Sequence, residues 1–334
     1  MTEWLQESDS FFAIAALNPL DCMRLDDSIV WCGSMVRSDE GRCHLFLSIW
    51  PREQGFEAWV THSRIGYAIA DTPDGVFHYQ GEIFTGSGVP DGWDRDVIHN
   101  PNVLYENGLF YLYYNGNYGN GQYWDHRNHQ RVGVAVASDP RGPWQRFDQP
   151  LLDASPDSWD CVLTTNPSVT RMPDGRYIMI YKGVGNQKPN PMLGPVLHGV
   201  AFADAPTGPF HKVPEPIFRA GEINFPGEDP YVFAAKGKLF CILKDNGGAY
   251  YPKASRSLVL FESGDGINWS LADKPLVMTR NVRWQDGRTQ EMTRLERPQL
   301  FCENGQPRFL FVAVKPDRDS HDAFNIHLAV DMRL

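Results

Sequence analysis

The stretch Gly227–Asp245, GEDPYVFAAKGKLFCILKD, sets two adjacent acids, Glu228 and Asp229, and a proline in front of an apolar run. A glycine-containing turn and a second apolar run follow, which is the pattern of a β-hairpin. The same design returns in IHNPNVLYENGLFYLYYNG from Ile98, TTNPSVTRMPDGRYIMIYKG from Thr164 and LERPQLFCENGQPRFLFVA from Leu295. A degenerate copy, VWCGSMVRSDEGRCHLFLSIW from Val30, keeps the rhythm and replaces the proline with Gly33. The residues just before the proline position are Cys32, Asn100, Asn166, Asp229 and Arg297, separated by steps of 68, 66, 63 and 68 residues. Self-similarity at a nearly constant period marks a repeat architecture.

Most units continue into a third strand, as in RVGVAVAS and LHGVAFAD. A turn and an aromatic come next, in DTPDGVFHY, DPRGPWQRF, APTGPFHKV and GDGINWSLA. Proline and glycine end one strand there, and the aromatic begins a fourth. Four short strands per unit, five times over, predict an all-β fold: a single five-bladed propeller of four-stranded antiparallel blades around a central channel. It would span residues 1–334, with blades starting near 26, 96, 162, 225 and 293. Helical periodicity is suggested only by the N-terminal DSFFAIAAL.

A formal net charge of −10 and the lack of any basic block of five or more residues remove the electrostatic footprint of a nucleic-acid or anionic-membrane binder. An aromatic content of 13%, with ten Trp, suits a β core or a surface on which sugars stack. The N-terminal MTEWLQESDS carries acids where a signal peptide would be basic, and no stretch approaches the ~18 apolar residues of a membrane span. The six cysteines are dispersed, without a CxxC pair, and read as free thiols. A cytoplasmic location is the expectation from these features.

The unit NP.V....G.YYLYY, followed by G.A.A..P.GPW, resembles the five-bladed glycoside hydrolases of families 43, 62, 32, 68 and 117. The likeness is greatest to the family 43 and 117 enzymes of bacterial polysaccharide degradation, and it runs from about Asp26 to Val330. It implies a hydrolase acting on an oligosaccharide, with catalytic groups at one mouth of the channel. The first strand of each blade lines that channel in such propellers. Trp31 and Cys32, His99 and Asn100, Thr165 and Asn166, Glu228 and Asp229, and Glu296 and Arg297 should therefore converge.

Glycoside hydrolysis calls for a proton-donating acid and usually a second carboxylate on the other face of the sugar. Glu228, Asp229 and Glu296 are the acids at motif positions. The resemblance favours Asp229, with Glu228 next. The competing structural roles are capping of backbone N–H groups by Glu228 and Asp229, and pairing of Glu296 with Arg294 or Arg297. Families 43, 32 and 68 carry an Asp at the channel start of blade one, where this chain has Cys32. Asp26 and Asp27 are nearby substitutes. Asp94 and Asp96 in GWDRDVIHNP rank as the second carboxylate or as sugar ligands, unless they belong to a solvated turn. Family 117 uses a histidine as acid, which directs attention to His99 and His198. His99 could equally bind a sugar hydroxyl or be a satisfied buried residue.

Asn100, Asn166 and Arg297 are expected to face substrate. Lys182 and Lys244, equivalent to Asn115 one blade earlier, would bind an anionic group or, by preference, neutralise the acids. Trp124, with Tyr123 and His126, lies in the insertion NGNYGNGQYWDHRNHQR and could shape the first subsite. Trp59, His62 and Arg64 in FEAWVTHSRIG, and Trp284, are further candidates. Loops gathered on one rim would favour an exo-acting pocket. A phosphorylase or transglycosidase, and a non-catalytic sugar-binding propeller, are the alternatives. No cofactor is expected; a divalent cation such as structural calcium could sit in the channel, though no ligand spacing demands it.

Overall fold

Paired apolar runs on either side of Gly-containing turns zip into hairpins, and each hairpin recruits a third strand. The computed structural model describes residues 4–5 and 10–332. Blade one is Ser28–Arg37, Cys43–Pro51, Arg64–Ala70 and His78–Phe84. Blade two is Val97–Glu106, Leu109–Asn117 and Arg131–Ala137, its fourth position reduced to a bridge between Val136 and Gln145. Blade three is Leu163–Arg171, Tyr177–Val184, Val196–Ala203 and the two-residue His211–Lys212. Blade four is Gly227–Ala235, Lys238–Asp245, Leu258–Ser263 and Ser270–Met278. Blade five is Arg294–Glu303, Gln306–Lys315 and Phe324–Met332. All strand neighbours within the blades are antiparallel, and the whole is a five-bladed propeller.

The outer strand of blade five comes from the other end of the chain. Phe12–Ala15 pairs with Phe324–Met332, Phe12 opposite Met332 and Ile14 opposite Val330. The helix suggested by DSFFAIAAL is thus a strand. Phe12, Ala13 and Ala15 are all buried, so the run is apolar on both faces, and periodicity alone does not separate such a strand from a buried helix. Its placement ties the first blade to the last. Apolar faces then pack between neighbouring blades, as with Phe46, Tyr67, Ile98 and Phe110 between blades one and two.

Every innermost strand carries a bulge at its motif. Pairing skips between Trp31 and Ser34, His99 and Asn102, Thr165 and Ser168, Glu228 and Tyr231, and Glu296 and Gln299, with two residues facing one on the partner strand. The first bulged residue is left-handed in each case: φ is 55° at Cys32, 56° at Asn100, 54° at Asn166, 57° at Asp229 and 57° at Arg297. Below the bulge, blades are stitched together. Ser34 Oγ accepts from the Val103 N–H, Asn102 Oδ1 from Val169 and Ser168 Oγ from Val232, at 3.0, 2.8 and 2.8 Å. Gln299 Nε2 donates to the Pro101 carbonyl at 2.7 Å and Gln299 Oε1 accepts from Asn102 at 3.2 Å, so a side-chain pair from blades five and two crosses the channel and plugs it.

Blade one lacks the proline for a steric reason. A Cβ on Gly33 would stand 2.4 Å from Asn325 Oδ1, against the buried Asn325 of blade five. Gly33→Ala should therefore lower stability by about 1–3 kcal/mol, the usual cost of overpacking. In denaturant melts the double variant Gly33→Ala/Asn325→Ala should lose less than the sum of the two single changes. Strict additivity would show that the contact does not exclude the side chain.

Candidate active site

The bulge turns the side chains of Cys32, Asn100, Asn166, Asp229 and Arg297 to the axis, where they join. The Cys32 thiol donates to Asn100 Oδ1 at 2.9 Å, Asn100 Nδ2 to Asn166 Oδ1 at 2.8 Å, and Asn166 Nδ2 to Asp229 Oδ1 at 3.0 Å. Arg297 donates to Asp229 twice, from Nη1 to Oδ1 at 3.0 Å and from its backbone N–H to Oδ2 at 3.2 Å. Its guanidinium is also close enough to Cys32 to act on the thiol, which brings the two ends of the chain together around the axis. Burial pushes the Cys32 thiol up to about 12, so it stays neutral and un-nucleophilic at physiological pH.

A second set of contacts springs from the neighbouring strand. Ser48, Asn115, Lys182, Lys244 and Ala313 lie opposite Trp31, His99, Thr165, Glu228 and Glu296. Ser48 Oγ accepts the Asn100 N–H and Asn115 Oδ1 the Asn166 N–H, both at 2.8 Å. Where the next blade instead presents a carboxylate, the residue is a lysine. Lys182 Nζ reaches Glu228 Oε1 at 2.6 Å, and Lys244 Nζ reaches Glu296 Oε1 at 2.6 Å and Glu228 Oε2 at 3.5 Å. Both lysines are thus ion-paired to acids of the site, the arrangement expected if they neutralise those acids.

Electrostatics follow from that wiring. Burial alone would raise the Glu228 pKa, but Lys182 and Lys244 outweigh it and hold the group below its ordinary value. Burial likewise opposes the charge on Lys244, yet Glu296 and Glu228 keep it above the usual lysine value. Burial pushes Asp229 above its ordinary value, with Arg297 opposing. The side chains differ in access: Glu228 is 23% exposed, Glu296 11% and Asp229 4%.

Above the circle opens a cavity of about 280 Å3, near the lower end of the ~300–1,000 Å3 of small-molecule sites. Glu228, Asp229, Glu296, Asn100, Asn166 and Arg297 line its floor. Trp31, Trp50, Trp59, Tyr123 and Trp124 supply flat apolar walls. The helical turn Trp59–His62 and the short helix Tyr123–Asn128 bring their aromatics together, Trp59 meeting Tyr123 edge-on at 5.9 Å and His99 at 5.0 Å. His99 is buried in this wall beside the Asn100 side chain, and among the described residues neither ring nitrogen makes a hydrogen bond of good geometry. Burial lowers it to about 3, which leaves a neutral imidazole with a free donor and a free acceptor.

Other sequence candidates fall outside the cavity. Asp94 accepts from Tyr114 Oη at 2.9 Å and Arg146 Nη1 at 2.8 Å, while Trp93 stacks on Tyr114. Blade three repeats the arrangement: Asp160 accepts from Tyr181 Oη at 3.0 Å and Lys212 Nζ at 2.5 Å, with Trp159 stacked on Tyr181. The Trp-Asp pair is thus a scaffold element, which removes Asp94 from the acids near substrate. Asp96 pairs with the adjacent Arg95 at 2.7 Å and caps the Gly119 N–H at 2.9 Å. Arg64 pairs with Glu82 at 2.9 Å on the outer part of blade one. His126 braces its own loop, bonding Asn117 Oδ1 at 2.8 Å and accepting the Gly121 N–H at 3.1 Å. His198 is buried in blade three without lining the cavity, and Trp284 belongs to the core between blades four and five.

The cavity also contains residues that the sequence did not single out: Trp50, Phe56, Glu57, Arg127, Gln130 and Met192. Arg127 lies in the rim insertion of residues 115–131, where nothing in its sequence neighbours distinguishes it from a solvated arginine. Among the described residues, no group of three or more His, Cys, Asp or Glu is arranged to hold a metal ion, and no helix is long and apolar enough to cross a membrane.

No family model and no curated protein matches the chain. Solved structures do match it. A family 117 glycoside hydrolase produced by the marine bacterium Zobellia galactanivorans aligns with a TM-score of 0.66 at 17% identity, over 97% of this chain and 91% of that one. A thermostable family-43 glycoside hydrolase aligns with a TM-score of 0.63 at 13% identity, over 95% and 96% of the two chains. A family 43 β-xylosidase/α-arabinofuranosidase from a compost microbial metagenome gives 0.62 at 14%, over 95% and 94%. At these identities the shared property is the fold, and the two families are those that the repeat unit resembles.

The buried imidazoles generate a pH dependence. His99 and His198 are each lowered to about 3 by burial, whereas the unfolded chain titrates near 6.5. Between these values the unfolded state binds more protons, so stability should fall as pH drops from 6.5 toward 3. Both rings should remain neutral in NMR titrations down to about pH 4. A midpoint near 6 for His99 would mean that a counter-charge or open water reaches it.

Proposed function

We propose that the protein is a glycoside hydrolase that releases a terminal sugar from an oligosaccharide, with Glu228 and Glu296 flanking the scissile bond. The observation that carries this reading is the shared amine of Lys244. With one ammonium touching both carboxylates, Glu228 Oε2 and Glu296 Oε1 can lie no more than about 6 Å apart, the two contact lengths laid end to end. That bound suits the ~5–5.5 Å separation of retaining enzymes better than the ~6.5–9.5 Å of inverting ones.

Glu228, paired with both Lys182 and Lys244, is assigned the nucleophile; Glu296, whose Oε1 is paired with Lys244, is assigned the acid and base through its other oxygen, Oε2. Asp229, ranked first from sequence, receives a supporting role here. Both of its oxygens already accept from Arg297 or Asn166, and it is the counter-ion of a buried guanidinium. Neutral His99 is assigned a sugar hydroxyl, and the tryptophans the apolar faces of the ring. The blind floor, closed by the axial circle and by the Gln299–Asn102 plug, supports exo action, because a continuing chain has no exit beneath the first sugar. The phosphorylase alternative draws little support, since Lys182, Lys244 and Arg297 are each committed to a carboxylate.

A panel of nitrophenyl glycosides and plant or marine oligosaccharides should reveal turnover of a terminal sugar. Glu228→Gln and Glu296→Gln should each cut kcat by roughly 10²–10⁴-fold or more in a folded protein. NMR of the first-formed anomer should show retention. Full activity in both variants would refute the assignment, and mid-sized fragments from the first minutes of reaction would refute exo action.

A further inference from the structure

A second cavity, of about 530 Å3, adjoins the first across Phe56, Glu57, Arg294 and Glu296, which line both. Its charge is unlike that of its neighbour. On the pocket floor every carboxylate has a cation: Glu228 has Lys182, Glu296 has Lys244, and Asp229 has Arg297. In the adjoining groove the two acids are already matched, Glu57 by Arg294 at 3.1 Å and Glu296 by Lys244. Arg256, Lys315 and Arg318 then remain as lining residues. Among the described residues none of these three has a carboxylate within ion-pair distance. Arg256 and Arg318 are exposed, and Lys315 is buried with its ammonium held by the carbonyl oxygens of Asp317, Arg318 and Ser320.

Lys315 is offset by Asp317, Asp319 and Asp322 of its own segment, which leaves Arg256 and Arg318 as exposed cations without an ion-pair partner among the described residues, a local reversal in a chain whose net charge is −10. Such a patch beside a low-dielectric cavity focuses field lines and attracts anions. Guanidinium groups offer paired N–H donors that match planar or tetrahedral oxyanions.

We propose that this groove receives an oxyanion, either a carboxylate or a sulfate ester, carried by the sugar next to the one in the pocket. The substrate is then an acidic oligosaccharide whose terminal ring enters the aromatic pocket and whose following ring is read by Arg256 and Arg318. The proposal rests on the pocket being the site of glycoside hydrolysis, and it names the substrate class of that site. Lys315 fixes the loop that carries Arg318, since it ties together three carbonyls of that segment.

The test is calorimetric binding to three probes of equal length: an oligogalacturonide, a sulfated galactan oligosaccharide and a neutral xylo-oligosaccharide. At about 20 mM salt one acidic series should bind at least roughly tenfold tighter than the neutral one, and most of that advantage should vanish at about 300 mM. The acidic series that wins identifies the oxyanion. The double variant Arg256→Ala/Arg318→Ala, altered only at exposed positions, should erase the advantage. Equal affinity for all three probes, no binding of either acidic series, or an advantage that survives both salt and the double variant would overturn the proposal. Salt-dependent acidic binding without turnover of any glycoside would instead sink the hydrolase reading and leave the groove assignment standing.

Discussion

The circle of side chains from Cys32, Asn100, Asn166, Asp229 and Arg297 is the contact on which the rest of the site depends. It exists because the first bulged residue of each inner strand is left-handed. A left-handed non-glycine residue costs about 1–3 kcal/mol, least for Asn and Asp, whose short polar side chains tolerate it. Three of the five positions are Asn or Asp, while Cys32 and Arg297 adopt the conformation without that tolerance. The compensation is a chain of hydrogen bonds running from Cys32 through Asn100, Asn166 and Asp229 to Arg297 in a buried interior, where unpaired polar groups are costly.

The circle also sets the surroundings of the acids. Asp229 is the counter-ion of Arg297, and the carboxylates proposed to react are the residues one step upstream of these two, Glu228 and Glu296. Their position in blades four and five is matched by lysines on the second strands of blades three and four, whereas Ser48 and Asn115 serve the neutral junctions. Charge is thereby gathered on one side of the axis and aromatic surface on the other. Cys32, neutral and hydrogen-bonded to Asn100, completes the geometry without contributing an acid.

Much of this was legible in the repeat. The spacing of the prolines gave the blades, and convergence of the residues before them followed from propeller geometry. The roles within each pair were not legible, since they depend on a bulge and a positive φ that no residue type announces at Cys32 or Arg297. Asp94 misled for a related reason. GWD and SWD are visible as echoes, but the partners Arg146 and Lys212 lie about 50 residues away and identify the aspartates as scaffold only once folded. Phe12–Ala15 was obscure because a run buried on both faces loses its period. Arg256 and Arg318 come from separate loops, and only folding sets them beside the same pocket.

The most direct test is to identify the carboxylate that reacts. Treatment with a panel of 2-deoxy-2-fluoro glycosyl fluorides, followed by proteolysis and mass spectrometry, should place the trapped sugar on Glu228. A label on Asp229, or an enzyme that turns over glycosides with inversion and takes no label, would contradict the division of labour between the axial circle and the acids beside it.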